Sequence, residues 1–124
     1  MFVIDGGKAL RRAITDVFGE QVLVHRCHRH KKRNACDLLP ERDREAVRAR
    51  MRAAWALTDA GLAEQQLELL ALRARPDVAD AGGSLREGMT DTLTLMRRGI
   101  TGQLATTLAS TNPCESMIEI VRYT

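Results

Sequence analysis

The chain has 124 residues, which is enough for one modest domain. Hydrophobic residues make up 44% of it, but aromatic residues only 3%. The core must therefore come from aliphatic residues and Met, a composition that favours helices over a β-sandwich. The sequence contains no membrane-length apolar run and no signal-peptide layout. Its three cysteines form no disulfide-like pattern. We therefore expect a cytoplasmic protein with no membrane association.

The net charge is +3, and it is unevenly distributed. The segment from His25 to Arg33 reads HRCHRHKKR, with five Arg or Lys residues and no acidic residue. A block of this kind can bind nucleic-acid phosphates, but it can equally be a solvated face. From this segment alone, both interpretations stay open.

The N-terminal part has the layout of a strand–helix–strand unit. A short β-type run, Met1–Ile4, stops at the turn residues Asp5-Gly6-Gly7. Helical spacing follows over Lys8–Phe18, and Gln21–His25 reads as a second short buried strand. The apolar positions of the helix share one face; they are Leu10, Ile14, Val17 and Phe18.

The rest of the chain is predicted to be nearly all helix, with a loop over 76–83. The predicted helices are Lys31–Leu39, Glu41–Thr58, Ala60–Arg73, Leu85–Met96, Gln103–Leu108 and Pro113–Tyr123. Val47, Met51, Ala54 and Trp55 should form the apolar face of the second of these. The fold class is therefore mostly α with a short βαβ start. Since two strands alone make a marginal sheet, we expect a fragment of a larger fold.

Asp5 lies where a strand ends and a Gly-Gly turn begins. Sites in α/β folds lie at the carboxyl ends of strands, and glycines leave room for a metal ion or a phosphate. Asp-Gly is also a common turn pair, so Asp5 is either a metal ligand or a turn residue.

Glu115 has two interpretations as well. Asn112 is a good N-cap and Pro113 suits the first helical position, so Glu115 would be the third residue of the helix. There it can cap the helix and complement the helix dipole, or present a rigidly held carboxylate to a metal ion.

Cys27 and His30 have the spacing of a metal-ligand pair, and His25, His28 and Cys36 lie nearby. A structural zinc site needs four ligands, and a second pair at standard spacing is missing, so we do not expect zinc. The alternative is a buried thiol beside a hydrogen-bonded His.

Three segments in this order resemble the bacterial Mutator-type insertion-sequence transposases. They read VIDGGKALRRAI, VHRCHRHKKRNACDLLP and SLREGMTDTLTLMRRGITGQLATTLASTNPCESMIEIVR. The resemblance implies an RNase H-like catalytic core of the DDE type that carries an all-α insertion. It divides a single partial catalytic domain into 1–30 (core), 31–110 (insertion) and 111–124 (catalytic Glu helix).

The resemblance also implies the site. Asp5 and Glu115 match catalytic, metal-binding carboxylates, Cys27 and His30 match the family's Cys-x-x-His motif, and two Mg²⁺ ions are the expected cofactors. The expected partners are the DNA of the transposon ends and of the target, in a homo-oligomer. DNA-backbone contacts are expected from Arg29, Lys31, Lys32 and Arg33.

The family's first catalytic Asp belongs to an earlier strand than Met1–Ile4. We therefore expect a C-terminal fragment that does not transfer DNA strands alone. The competing hypothesis is a small basic helical nucleic-acid-binding module, with or without a stabilising zinc ion, that has no enzymatic activity.

Overall fold

The computed structural model describes residues 1–74 and 81–123, and it is mostly helical with a strand–helix–strand start, as the sequence predicts. A 3-10 helix, Thr90–Leu93, lies between the fifth and sixth α-helices. The two strands are β1 (Phe2–Ile4) and β2 (Val24–Arg26). The α-helices are α1 (Lys8–Phe18), α2 (His28–Asp37), α3 (Glu41–Trp55), α4 (Ala60–Leu72), α5 (Ala81–Arg86), α6 (Thr94–Arg97), α7 (Gly102–Leu108) and α8 (Asn112–Tyr123).

The two strands are parallel and are joined by α1. Phe2 pairs with Val24 and Ile4 pairs with Arg26, so the sheet is only as long as these three-residue strands. Ile4, Ile14 and Val24 form a small core on one face. The second strand starts later than the predicted Gln21, because a turn follows α1 in which the Val22 amide donates to the Gly19 carbonyl at 3.4 Å.

The helical spacing of α1 predicted its bounds but not its burial. Ile14 is buried, as expected for the apolar face. Val17 and Phe18 on the same face are 74% and 60% exposed, and Leu10 is 50% exposed. A periodic pattern therefore identifies an amphipathic helix without specifying how much of its apolar face is covered.

The larger core lies among the helices that follow the sheet. It contains Ala35, Met51, Ala54, Ala63, Leu67, Leu70, Ala71, Leu85, Met89 and Leu93. The predicted apolar face of α3 is confirmed, since Met51 and Ala54 are buried and Val47 and Trp55 pack against this core.

The continuous helix predicted over Leu85–Met96 is wrong. The chain forms α5, the 3-10 helix and α6 instead, with Gly88 at a φ of 66° between α5 and the 3-10 helix. A positive φ is incompatible with a continuing α-helix. Leu85, Met89 and Leu93 are nevertheless buried as their spacing suggested.

Two other boundaries bear on the predictions. The helix predicted from Lys31 already begins at His28. Of the loop predicted over 76–83, residues 76–80 lie outside the described residues, and 81–83 belong to α5. No helix in the described ranges is both long enough and apolar enough to cross a membrane.

Candidate active site

Asp5 is the first residue after β1 and is exposed to solvent. Its Oδ1 accepts a hydrogen bond from the backbone amide of Gly7 at 3.0 Å. Gly6 between them has a φ of 111°, which a residue with a side chain rarely adopts. The turn predicted from this tripeptide is confirmed. The same hydrogen bond fixes the carboxylate at the strand end while leaving it accessible.

Cys27 lies beside the end of β1. Its backbone amide donates to the Ile4 carbonyl at 2.7 Å, one residue before Asp5. Parallel strands bring their carboxyl ends to the same edge of a sheet. Asp5 directly follows β1 and Cys27 directly follows β2. The two residues therefore lie at the same edge of the sheet.

The Cys27 thiol is fully buried and lies at the centre of a hydrogen-bonded group. His30 Nδ1 is 3.2 Å from the sulfur, and the Thr111 amide donates to the sulfur at 3.4 Å. Burial raises the pKa of the thiol. The hydrogen bonds from His30 and Thr111 outweigh this effect and bring the pKa from 9.0 down to about 7. The sulfur is thus an acceptor held between α2 and the start of α8.

Glu115 lies at the other end of this group. The Thr111 hydroxyl donates to Glu115 Oε1 at 2.7 Å, and His30 Nε2 lies 3.5 Å from the same oxygen. The Thr111 hydroxyl oxygen and the Cys27 sulfur both lie within hydrogen-bond distance of His30 Nδ1, at 3.3 and 3.2 Å. His30 is therefore oriented with one nitrogen toward the thiol and the other toward the carboxylate.

The structure brings Cys27 and His30 together with Glu115, which lies far from them in sequence. Among the described residues, no hydrogen bond or ion pair joins Asp5 to them. Within the same ranges there is no group of three or more His, Cys, Asp or Glu side chains arranged to hold a metal ion. Cys36, a candidate zinc ligand with Cys27, is buried separately with its sulfur 3.8 Å from the Arg44 carbonyl.

Helix α8 begins at Asn112, one residue before the predicted start at Pro113. Asn112 is already helical, and the Glu115 amide donates to the Thr111 carbonyl at 3.1 Å. Thr111 therefore occupies the capping position. The Asn112 side chain accepts a hydrogen bond from Arg29 instead of capping the helix.

The four predicted DNA-contacting residues occupy different environments. Arg29 and Arg33 are exposed and Lys32 is half-buried. Lys31 is only 2% exposed, and its ammonium donates to the carbonyls of Ser84 and Glu87. In this conformation, Lys31 holds α2 to α5, and a phosphate contact from it would require these bonds to break.

A family model described as Transposase, Mutator family, matches residues 1–124, the whole chain. The chain belongs to the Mutator family of transposases. Membership implies a role in DNA transposition with DNA as a partner. No curated protein and no solved structure matches the chain.

For this Mutator-family chain, Thr111 is the site residue that the sequence reasoning missed. It contacts Cys27, His30 and Glu115 at once, through its amide and its hydroxyl. A signal was present, since Thr is a good N-cap and directly precedes Asn112 and Pro113. The predicted N-cap was the next residue, Asn112, which is equally suited to that position by residue type.

Proposed function

We propose that this chain is part of the catalytic core of a DDE-type transposase, with Asp5 and Glu115 as two of its metal-binding carboxylates. The observation that carries the proposal is the hydrogen-bonded connection between Cys27, His30, Thr111 and Glu115. It links a carboxylate from the far end of the chain to Cys27, whose amide donates to the Ile4 carbonyl, one residue before Asp5.

The chemistry of these donors fits a hard divalent cation. Asp5 is exposed and the side chain of Glu115 is 47% exposed, so both present carboxylate oxygens to solvent. Mg²⁺ prefers such ligands and usually keeps several waters, so few protein ligands are needed. Two bound ions would stabilise the attacking and leaving oxygens in phosphoryl transfer on DNA.

The residues of the chain position these carboxylates. The Gly7 amide fixes Asp5, and the Thr111 hydroxyl fixes Glu115. His30 lies against Glu115 and is itself oriented by Cys27. We assign Cys27 and His30 a positioning role, with no bond made or broken at the sulfur.

The proposal assigns each part of the fold to a part of an RNase H-like catalytic domain. The parallel β1–α1–β2 unit, within 1–30, would belong to an RNase H-like sheet. The helices within 31–110 would form the insertion, and 111–124 the catalytic Glu helix. The larger core of the described helices lies outside the sheet, which supports an insertion that packs mainly on itself.

Two carboxylates are fewer than the three that the reaction requires in this family. We therefore propose that the 124 residues bind metal ions and DNA but do not transfer strands alone. A homo-oligomer of a polypeptide that supplies the third carboxylate would be the active species.

Binding of Mn²⁺, used in place of Mg²⁺, tests the carboxylate assignment. Electron paramagnetic resonance titration should give at least about tenfold weaker binding for Asp5→Asn and for Glu115→Gln than for the unmodified chain. Asp16→Asn and Glu41→Gln are matched controls, because they remove exposed carboxylates from α1 and α3, and neither lines the cavity that contains Glu115. Both controls should bind Mn²⁺ as the unmodified chain does.

Equal binding by all five proteins would refute the assignment of Asp5 and Glu115. Metal-dependent strand transfer by the 124 residues alone would refute the proposal that they are incomplete. Circular dichroism should give the same spectrum for every variant, since neither carboxylate is buried.

A further inference from the structure

A groove lies on the helical side of the sheet, separate from the proposed carboxylate site. It has a volume of about 910 Å³ and is lined by α2, the end of α3, the 3-10 helix, α6 and α7. We call it the Trp55 groove. Leu95, Met96 and Ile100 give it an apolar wall. Its volume lies within the range of small-ligand pockets, roughly 300–1,000 Å³.

Two stacked rings form part of the lining. The His28 imidazole and the Trp55 indole are parallel within 9°, with their centroids 3.9 Å apart. Thr92 holds both: its hydroxyl accepts from Trp55 Nε1 at 3.2 Å, and its carbonyl accepts from His28 Nε2 at 2.8 Å. The rings are therefore fixed before any ligand arrives, which lowers the entropic cost of binding against them.

His25 lies beneath this pair. Its ring centroid is 4.9 Å from that of His28, and the residue is fully buried. Neither ring nitrogen has a hydrogen-bond partner within the described part of the chain. Burial, with a smaller contribution from His28, lowers the pKa of His25 to about 3, so the ring is neutral at pH 7. A neutral imidazole has one donor and one acceptor, and both are unpaired in the buried part of the groove lining.

The charges around the groove are all positive. Arg29, Lys32 and Arg52 line it, and no carboxylate does. Arg52 pairs with Glu45 outside the groove at 2.8 Å. Among the described residues, Lys32 has no ion-pair partner. The rim therefore has a positive potential that favours an anionic ligand.

We propose that the Trp55 groove binds an unpaired nucleotide of a DNA strand, with the base against the Trp55–His28 rings and the phosphate at Arg29 and Lys32. Aromatic rings beside a cationic rim are the means by which proteins hold single-stranded nucleic acid. An apolar ligand without charge would form no ion pair with Arg29 or Lys32. A phosphate without a base would make no contact with the rings of Trp55 and His28. A base in a duplex is stacked and paired, so it must leave the helix to enter.

The position of the groove agrees with this ligand. Ser110 lines it, and Arg29 lines both the groove and a neighbouring cavity that contains Glu115. A strand whose phosphate lies near Glu115 could place an adjacent nucleotide in the groove. The proposal rests on the proposed function in one respect, namely that the chain acts on DNA.

Trp55 is the only tryptophan of the chain, so its fluorescence reports on the groove. The test titrates the full chain, in EDTA, with a short thymidine oligonucleotide, with an abasic oligonucleotide of equal length, and with a duplex of the same length. The thymidine strand should quench Trp55. The abasic strand should bind about tenfold or more weakly and without quenching, since base stacking is lost. The duplex should not quench Trp55.

Variants assign the binding to the groove. His28→Ala should weaken binding of the thymidine strand more than that of the abasic strand, because it removes a ring. Lys32→Gln should weaken both strands by a similar factor of a few-fold, because it removes a phosphate contact. Arg50→Gln is the matched control, since Arg50 is exposed on α3 and does not line the groove. It should change binding less than Lys32→Gln.

Equal binding and equal quenching by the base-bearing and abasic strands would overturn the proposal. So would a duplex that quenches Trp55 as strongly as the single strand. Quenching by polyglutamate at the same concentration would assign the groove to an acidic polypeptide instead. The oligonucleotide comparison needs no variant, so misfolding of His28→Ala would not affect it. Because EDTA is present, failure at Asp5 or Glu115 cannot produce any of these outcomes.

Discussion

The two faces of the β1–β2 sheet lead to cavities that differ in charge. On the Arg26 side lies a cavity of about 560 Å³, which we call the Arg26 cavity. Its lining contains four cationic and four acidic side chains: Lys8, Arg11, Arg12, Arg26, Asp16, Glu20, Glu87 and Asp91. The Trp55 groove on the His25 side has three cationic residues and no acidic one. Both linings are rich in Arg and Lys, so the number of nearby carboxylates decides whether the local potential is positive.

The difference arises from the alternation of side chains in one short segment. His25 and Arg26 are consecutive in β2, so their side chains point to opposite faces of the sheet. Lys31 and Lys32 are consecutive in α2. Lys31 lies beside the buried Arg26 and the exposed Glu87, while Lys32 lines the groove. The Lys31 pKa is lowered to about 8, mainly by burial and by Arg26, and is partly restored by Glu87.

Replacing the two adjacent lysines is the strongest test of this contrast. Lys31→Ala should lower the free energy of unfolding by about 2–4 kcal/mol, because it leaves a cavity and removes the donor to two carbonyls. Lys32→Ala should change it by less than about 0.5 kcal/mol, as for an ordinary surface position. Urea denaturation measures both values. Similar losses for the two variants would show that the burial of Lys31 does not stabilise the fold.

Replacing either of two glycines should have a smaller effect on the free energy of unfolding, and one replacement serves as a control for the other. Gly88 in the Arg26 cavity and Gly99 in the Trp55 groove have φ values of 66° and 69°. A Cβ at Gly88 would overlap the Arg26 guanidinium, whereas a Cβ at Gly99 would meet nothing within 4 Å. Gly99→Ala should cost about 1–2 kcal/mol for the left-handed backbone alone.

Gly88→Ala should cost about 1–3 kcal/mol more than Gly99→Ala, because Arg26 must move. Thermal or urea unfolding of the two variants gives the difference. If the two costs are equal, Arg26 can move at no cost, and the close packing of that cavity is not important for stability.

The smallest effect is a pH dependence from the groove. The pKa of His25 is about 3 in the folded chain, whereas an imidazole in water has a pKa of 6.5, so the unfolded chain binds more protons between these values. Stability contributed by the neutral His25 is therefore present above pH 6.5 and lost as the pH falls toward 3. Between pH 7 and 5 the expected loss is about 1–2 kcal/mol.

His25→Leu should remove that part of the pH dependence, because Leu does not titrate. Urea unfolding of both proteins at pH 7 and pH 5 measures the contribution of His25. The same loss in both proteins would assign the pH dependence to other groups, such as His28, whose pKa burial lowers to about 4.

The sequence predicted the order of helices and strands well, but it predicted the burial and packing of their side chains less well. The bounds of α1 were predicted from helical spacing, but the exposure of Val17 and Phe18 was not, because a period does not reveal what covers a face. The break at Gly88 was missed because apolar spacing continues across it. The turn at Asp5 followed from local chemistry alone, and the structure confirms it.

The candidate site was predictable only in part for the same physical reason. The residue types at Cys27, His30 and Glu115 suggested ligands, but their meeting depends on contacts between residues more than 80 positions apart. Thr111 and the division between Lys31 and Lys32 depend on such contacts as well. Local propensity carries no information about them.

The contacts at the foot of the helical segment also bear on where the chain can be lengthened. The segment leaves the sheet edge at Cys27 and returns at Thr111, where the Thr111 amide meets the Cys27 sulfur and the His28 amide meets the Ala109 carbonyl. The exposed turn around Thr58, between α3 and α4, is held by neither bond. Loop-closure entropy grows slowly, by about 0.6 kcal/mol per doubling of loop length. Residues inserted at that turn, such as an epitope tag, would therefore leave Glu115 at its place beside His30.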